Sequence, residues 1–254
     1  RRLPAMRYAR EMGAANIADS HVVADLPCRP ARRGPLGVIM LDTAFARPPG
    51  DAGNAASWPF PVVIERVPGA HARAVVRGEF AGSAAFIEAA QRLQARGAVA
   101  IISTCGFLVR EQQALAAAVT VPVETSTLLH YQKLSECISP GRRVAVLTID
   151  ATAVDATVRA RAGIDDDALI FSLTEDAHFV RAILGGNEAL DVDRARDEWV
   201  RLAGDVQRRH GDIGQWLFEC ANMPPYAAAV TAATGVAVFD TLTMGRELYV
   251  RATS

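Results

Sequence analysis

Two segments of the chain share one pattern, and this internal similarity is the feature that most constrains the fold. In each segment an apolar run ends in a cysteine, an alanine-rich stretch follows, and a short valine-rich run ends in a polar residue. The first segment spans residues 98–125 and contains Cys105, and the second spans residues 214–240 and contains Cys220. The cysteine precedes the last polar residue by the same distance in both, since 125 − 105 = 20 and 240 − 220 = 20. Self-similarity of this kind predicts a repeated structural unit with one cysteine placed alike in each copy.

A second pair of segments supports the duplication. The apolar run that begins at residue 36 ends at Asp42, and the run that begins at residue 143 ends at Asp150. The offset between the halves is 150 − 42 = 108 at these runs and 220 − 105 = 115 at the cysteines. Continuous apolar runs are typical of parallel strands that are buried on both faces. Because such runs alternate with helix-like stretches, we predict an α/β fold of two similar parallel-sheet half-domains related by pseudo-twofold symmetry, with the active site in the cleft between them.

The same patterns divide the chain into three parts. We expect a poorly organised arm over residues 1–33, a first half over residues 34–140, and a second half over residues 141–254, with the C-terminal helix able to complete the first half. Predicted strands lie at residues 36–41, 62–67, 98–104, 121–123, 143–150, 169–173, 214–219 and 236–239. Predicted helices lie at residues 83–96 (with Ser83 as N-cap), 107–119, 126–137, 152–162, 176–184, 191–209 and 241–251. The loop over residues 45–61 is rich in proline and glycine, and loops of that length are often functional.

Composition and motifs exclude several classes of function. The 27 Lys and Arg residues balance 28 Asp and Glu residues, which argues against a nucleic-acid partner. No apolar run approaches the roughly 18 residues of a membrane span, and no signal-peptide pattern opens the sequence. Four cysteines without a CxxC pair favour a reducing, cytoplasmic location. Neither a dinucleotide nor a phosphate-binding motif occurs, and the five histidines lack metal-ligand spacing, so we expect no cofactor and no metal. The sequence leaves the formation of a homo-oligomer open.

The two cysteines are the candidate catalytic residues. Ligands of parallel sheets bind beyond the carboxyl ends of the strands, and Asp42, Cys105, Asp150 and Cys220 all fall at such ends. A cysteine between a strand and a helix start is favoured as a thiolate, because backbone N–H groups stabilise its negative charge. Two thiols on opposite sides of a carbon next to a carboxylate can remove a proton from one face and return one to the other. Such chemistry inverts the carbon, and backbone N–H donors stabilise the enediolate-like intermediate.

The residues around both cysteines resemble a known family. Thr104-Cys105-Gly106, together with the segment from Cys220 to Tyr226, is similar to the aspartate/glutamate racemase superfamily over about residues 36–250. That superfamily includes cofactor-independent aspartate, glutamate and hydantoin racemases, maleate isomerases and arylmalonate decarboxylases. The segment over residues 41–54 is similar to a less characterised branch. The resemblance implies that Cys105 and Cys220 are the two bases acting on a small carboxylate-bearing substrate.

Further residues are candidates for substrate binding. By the resemblance, Asp42 and Thr43 match the motif at the end of the first strand, and Thr104 and Asn222 help to bind the substrate carboxylate. The set is completed by three residues that lie beside these motifs: Arg47, whose guanidinium suits a second carboxylate, Asn54 and Gly106.

Departures from the family pattern narrow the function only in part. Glutamate racemases usually carry Cys-Thr-His where this chain has Cys220-Ala221-Asn222 preceded by Glu219, so glutamate is not implied as the substrate. Arylmalonate decarboxylases keep one cysteine, and this chain has both. We therefore expect an isomerase, specifically a racemase or epimerase of an amino acid, related acid or hydantoin. A maleate-type isomerase that uses one cysteine as nucleophile, and a two-lobed binding protein without turnover, remain the alternatives.

Overall fold

Two four-stranded parallel sheets form the frame of the protein. The computed structural model describes residues 33–186 and 188–254, so nearly all of the arm predicted over residues 1–33 lies outside the described part. The first sheet contains β1 (Leu36–Leu41), β2 (Val62–Val67), β3 (Ala100–Ser103) and β4 (Val123–Glu124). The second sheet contains β5 (Arg143–Thr148), β6 (Leu169–Ser172), β7 (Ile213–Phe218) and β8 (Val238–Phe239).

Both sheets have the same strand order, which confirms the predicted α/β fold of two similar halves. The orders are β2-β1-β3-β4 and β6-β5-β7-β8, and every pairing is parallel. All four residues of β3, and all of β5 except Arg143, are buried, as expected for central strands covered by helices on both faces.

Equivalent backbone hydrogen bonds relate the two halves residue by residue. The N–H of Thr104 donates to the carbonyl of Ile39, and the N–H of Glu219 donates to the carbonyl of Leu147, each at 2.9 Å. The differences 147 − 39 = 108 and 219 − 104 = 115 are the two offsets found in the sequence. Thr104 and Glu219 are therefore equivalent positions, one residue before the equivalent cysteines.

Helices cover the sheets and connect their strands. They are α1 (Ala72–Val76), α2 (Ser83–Ala95), α3 (Gln112–Ala118), α4 (Tyr131–Cys137), α5 (Ala156–Ala162), α6 (His178–Val180), α7 (Val192–Arg209), α8 (Ala227–Thr234) and α9 (Thr241–Thr253). Short 3₁₀ helices span Ala55–Ser57, Gly106–Glu111, Thr127–His130, Ala151–Ala153 and Pro224–Tyr226, and a π-helical turn spans Arg181–Gly185. The C-terminal helix α9 packs on β3 and β4, so it returns to the first sheet.

The structure corrects several predicted boundaries. The helices predicted from residues 107 and 126 begin as 3₁₀ turns and become α-helical only at Gln112 and Tyr131, because the chain turns tightly as it leaves each strand. Ser83 is the first residue of α2 rather than its cap, and the cap position is Gly82, which has no side chain to offer. The five-residue helix α1 was not predicted. Within the described residues, no helix is both long enough and apolar enough to span a bilayer.

Candidate active site

Both predicted catalytic cysteines line one pocket of about 330 Å³ between the two halves. Cys105 follows β3 of the first sheet, and Cys220 follows β7 of the second. The pocket is lined by Leu41, Thr43, Phe45, Arg47, Ala72, Val76, Thr104, Cys105, Phe107, Ile149, Ile183, Leu184, Glu219, Cys220 and Asn222. A volume of this size suits a small organic ligand.

Backbone and hydroxyl contacts fix Cys105 at the start of a 3₁₀ helix. Its backbone is extended, and it occupies the cap position of Gly106–Glu111. The hydroxyl of Ser103 donates to the carbonyls of Cys105 and Thr125 at 2.8 and 2.7 Å and accepts the N–H of Cys105. Ser103 therefore ties the cysteine to the end of the neighbouring strand.

A chain of hydrogen bonds leads from Cys220 to a buried carboxylate of the first half. The thiol of Cys220 donates to Oδ1 of Asn222 at 3.4 Å, and Nδ2 of Asn222 donates to Oδ2 of Asp51 at 2.6 Å. Asp51 is fully buried, so its carboxylate fixes the orientation of the amide. Because the amide oxygen faces the thiol, it stabilises the protonated form of Cys220.

The proline- and glycine-rich loop brings Asp51 to this position. Nη1 of Arg47 pairs with Oδ1 of Asp51 at 2.9 Å, and the N–H of Gly53 donates to the same oxygen at 2.7 Å. The loop also reaches the second half through its backbone, where the N–H of Ala52 donates to the carbonyl of Ala221. The buried pair of Arg47 and Asp51 is thus compensated within the loop, and the loop closes one side of the pocket.

Glu219 places a buried carboxyl group in the pocket, at the position equivalent to Thr104. Its Oε2 accepts the hydroxyl of Thr148 at 2.8 Å, and backbone N–H groups of Gly106 and Ile149 also donate to the carboxylate. The side chain is 1% exposed, and burial raises its pKa to about 7. Sequence reasoning noted Glu219 only as a departure from the family pattern. A carboxylate directly after a buried apolar strand was the available signal of a functional residue.

Burial raises the pKa values of both thiols. The pKa of Cys105 rises to about 12, through burial and the nearby Glu219 carboxylate, against the opposing effect of N–H groups of Phe107 and Leu108. The pKa of Cys220 also rises, through burial, Glu219 and Cys105. Both cysteines are therefore thiols at neutral pH in the empty pocket. Two backbone donors face the sulfur of Cys105, and this makes Cys105 the better placed of the two to become a thiolate.

The structure brings most of the predicted site residues together. Those lining the pocket are Thr43, Arg47, Thr104, Cys105, Cys220 and Asn222. Gly106 lies behind the lining and packs against Glu219. Neither Thr125 nor Asp240, the polar residues that end the two repeated segments, lines the pocket, because both bond to their own surroundings.

Two predicted substrate-binding residues have structural contacts instead, and their placement corrects the expectation. Asp42 accepts the N–H of Gly69 at 2.8 Å and lies 3.6 Å from Arg66, and the Gly69 hydrogen bond lowers its pKa. Asn54 caps the 3₁₀ turn at Ala56 and donates to the carbonyl of Arg47, which shapes the loop. Both side chains are used in turns outside the pocket lining, as is common for Asp and Asn.

Apolar residues that the sequence did not single out form much of the remaining wall. Ile183 and Leu184 come from the π-helical turn, which ends at Gly186 in a left-handed conformation. Phe45 and Phe107 add two aromatic rings. No sequence pattern separates a π-helical turn from an ordinary helix end, so this wall had no signal. Among the described residues, no group of three or more His, Cys, Asp or Glu side chains could hold a metal.

Known structures share this fold at low sequence identity. Unliganded arylmalonate decarboxylase superposes with a TM-score of 0.56 at 18% identity, covering 87% of this chain and 93% of that one. An aspartate racemase homologue from Pyrococcus horikoshii gives 0.53 at 16% identity, covering 87% and 99%. Allantoin racemase from Pseudomonas fluorescens gives 0.52 at 17% identity, covering 86% and 93%. The fold is that of the aspartate/glutamate racemase superfamily, as the resemblance implied.

Sequence relatives define the family within that fold class. A dimethylsulfoniopropionate lyase from Durusdinium is 31% identical over 215 residues, covering 82% of this chain and 71% of the relative. The chain therefore belongs to the dimethylsulfoniopropionate lyase family. Dimethylsulfoniopropionate lyase 6 from Emiliania huxleyi is 29% identical over 245 residues, covering 92% of this chain and 62% of the relative, so the chain spans less than two thirds of that protein. No known family model matches the chain.

Proposed function

We propose that the protein is a lyase that releases dimethyl sulfide from dimethylsulfoniopropionate and leaves acrylate. Membership of the lyase family supports the reaction class, while the structural relatives support proton removal next to a carboxylate as the shared chemistry. Elimination begins with that same proton removal. The proposal therefore keeps the two-cysteine site expected from the sequence and changes the fate of the intermediate from inversion to loss of a leaving group.

The observation that carries the proposal is the mixture of groups in the pocket. Its lining contains one cationic side chain, Arg47, and one acidic side chain, Glu219, with the two thiols and a largely apolar wall. One charge of each sign suits a small zwitterion. An ammonium group needs several hydrogen-bond acceptors, whereas a dimethylsulfonium group carries methyl groups and no N–H donors. The apolar wall favours the sulfonium compound over an amino acid.

The proposed step uses the Cys105 thiolate as the base. It takes a proton from the carbon next to the carboxylate, and the electron pair of that C–H bond forms the carbon–carbon double bond. The electron pair of the carbon–sulfur bond leaves with dimethyl sulfide, so the sulfonium is converted to a neutral thioether. The proton then passes from the Cys105 thiol to solvent. General base catalysis of this kind contributes about 10² to 10⁴ in rate.

Neighbouring groups are placed to bind the substrate carboxylate. The hydroxyl of Thr104 accepts the N–H of Leu41 at 3.3 Å, which leaves its own hydrogen to donate to a ligand. Arg47 uses Nη1 for Asp51 and Nη2 for Thr43, and the remaining N–H groups of its five are left for the substrate. These donors would strengthen their hydrogen bonds as the carboxylate becomes enediolate-like.

Racemisation is the second candidate, favoured by the presence of one thiol on each half. In that reaction the proton removed by one cysteine would be replaced from the other, on the opposite face. Elimination needs only one base, so the second thiol is the feature that keeps the racemase in view.

A direct assay separates the two. The purified protein is incubated with dimethylsulfoniopropionate, and dimethyl sulfide is measured in the gas phase with acrylate in solution. Parallel samples in heavy water contain chiral amino acids, hydantoins or maleate, and NMR detects deuterium uptake or conversion to fumarate. We expect dimethyl sulfide and acrylate in equal amounts, lost on Cys105→Ala. Deuterium uptake by a chiral acid without dimethyl sulfide would replace the lyase with the racemase, and fumarate from maleate would replace it with the isomerase.

A further inference from the structure

Glu219 is a buried acidic side chain without a cationic partner in the described part of the chain. Its contacts are the hydroxyl of Thr148 and the N–H groups of Gly106 and Ile149, all of which are neutral donors. The other buried carboxylate beside the pocket, Asp51, has the guanidinium of Arg47 at 2.9 Å. The empty pocket thus holds one compensated and one uncompensated acidic group.

The charged groups around Glu219 do not neutralise it. Cys105 and Cys220 face it from both halves of the protein, and neither can supply a positive charge. Arg110 acts only at a distance, since its guanidinium pairs with Asp155 at 2.9 Å and donates to the carbonyl of Ala153. A buried carboxylate that lacks a counter-ion is costly, and a ligand cation would remove that cost.

We infer that Glu219 is the counter-ion of the substrate's sulfonium group and selects a cationic head over a neutral one. This inference rests on the proposed function, because it assigns the two ends of that substrate. The carboxylate lies toward Arg47 and Thr104, and the sulfonium lies toward Glu219, with its methyl groups against the apolar wall. Charge complementarity of this kind gives specificity by penalising ligands that leave the buried acid unpaired.

The same contact would prepare the base. The Glu219 carboxylate raises the pKa values of both thiols by like-charge repulsion. A cation beside Glu219 offsets that repulsion, so the thiolate becomes easier to form only when the sulfonium is bound. The residue would therefore couple recognition of the head group to activation of Cys105.

The test measures binding, without turnover, of two ligands of nearly equal shape. Dimethylsulfonioacetate carries a carboxylate and a sulfonium but lacks the carbon from which elimination occurs. Isovalerate has the same branched skeleton with a neutral carbon in place of sulfur. Titration calorimetry on the wild-type protein should give a preference for the sulfonium compound of roughly tenfold or more. Glu219→Gln should reduce the preference to within about twofold by weakening the sulfonium compound alone.

Two further variants keep the result interpretable. Glu111→Gln makes the same change in a residue outside the pocket and should leave the preference intact. Glu219→Asp keeps the charge but shortens its reach, so part of the preference should return, which decides the matter if Glu219→Gln fails to fold.

Equal binding of both ligands to the wild type, or equal loss of both in Glu219→Gln, would overturn the inference. If the preference holds but dimethylsulfoniopropionate is not cleaved, the proposed reaction fails and the charge assignment stands. If cleavage occurs without the preference, only the charge assignment fails.

Discussion

Gly106 and Glu219 are packed so closely that a β-carbon at position 106 would lie 2.4 Å from Oε1 of the glutamate. The N–H of Gly106 also donates to the carboxylate. A glycine of the first half thus supports an acidic side chain of the second half, directly beside both catalytic candidates. The absence of a side chain at position 106 is what allows a carboxyl group to occupy the space between the cysteines.

Substitution of that glycine should therefore disturb the pocket. In Gly106→Ala the methyl group displaces the Glu219 carboxylate, and we expect a loss of about 1–3 kcal/mol in the free energy of unfolding, with reduced lyase activity. Urea denaturation measures the first and dimethyl sulfide release the second. Gly211→Ala is the matched control, because a β-carbon there meets nothing within 4 Å. An unchanged stability for Gly106→Ala would mean that Glu219 moves aside freely.

The two cysteines should differ in elimination. We expect Cys105→Ala to lower the rate of dimethyl sulfide release by about 10² to 10⁴, because the base is removed. Cys220→Ala should cost less, since its thiol donates to Asn222 and is not the base in the proposed step. Cys137→Ala, at an exposed position, serves as control. A larger loss for Cys220→Ala would reverse the assignment of the base.

Removing the charge of Arg47 should destabilise the loop that closes the pocket. Arg47→Met leaves the fully buried Asp51 without its cation, for an expected loss of about 3 kcal/mol in the free energy of unfolding. The double variant Arg47→Met with Asp51→Asn should recover much of that loss, since no charge is then left unpaired. Urea denaturation of the three proteins tests both statements. If the double variant is no better than the single one, the loop depends on geometry more than on charge.

Stability should fall with rising pH because of Glu219. Burial raises its pKa from 4.5 to about 7, so the folded state holds the proton more tightly than the unfolded state. The resulting stabilisation is fully present below the unfolded pKa of 4.5 and is lost as the pH rises through about 7. A shift of this size corresponds to roughly 3 kcal/mol.

The difference in unfolding free energy between wild type and Glu219→Gln, measured from about pH 4 to pH 8, isolates this effect from the other titrating groups. We expect the wild type to lose stability relative to the variant across that interval. Parallel pH profiles for the two proteins would show that Glu219 is not buried as a titrating carboxyl.

The repeated pattern was enough to predict the fold. Apolar runs buried on both faces and two constant offsets indicated paired parallel sheets, and the strand orders agree. The convergence of Cys105 and Cys220 on one pocket also follows from the pattern, because equivalent strand ends of two similar sheets face a common cleft.

Long-range contacts decided what the sequence left open. Asp51 and Asn222 are separated by 171 positions, and nothing local to either predicts their hydrogen bond. Asp42 occupies a strand end as predicted, yet its carboxylate turns to Gly69 because an unpaired backbone N–H lies closer than the pocket. Sequence position gives the strand end, while the direction of the side chain depends on which donors the fold brings near.

The equivalence of Thr104 and Glu219 has a consequence for the direction of catalysis. An enzyme that interconverts mirror images must hold either one equally well, and a frame built from two like halves offers that evenness. Here one half contributes a neutral hydroxyl and the other an ionisable acid at the matching place, so a bound molecule has a preferred end-to-end orientation. A single unmatched residue thereby turns an ancestral balance into a polarity, which suits a reaction that breaks a molecule at one end only.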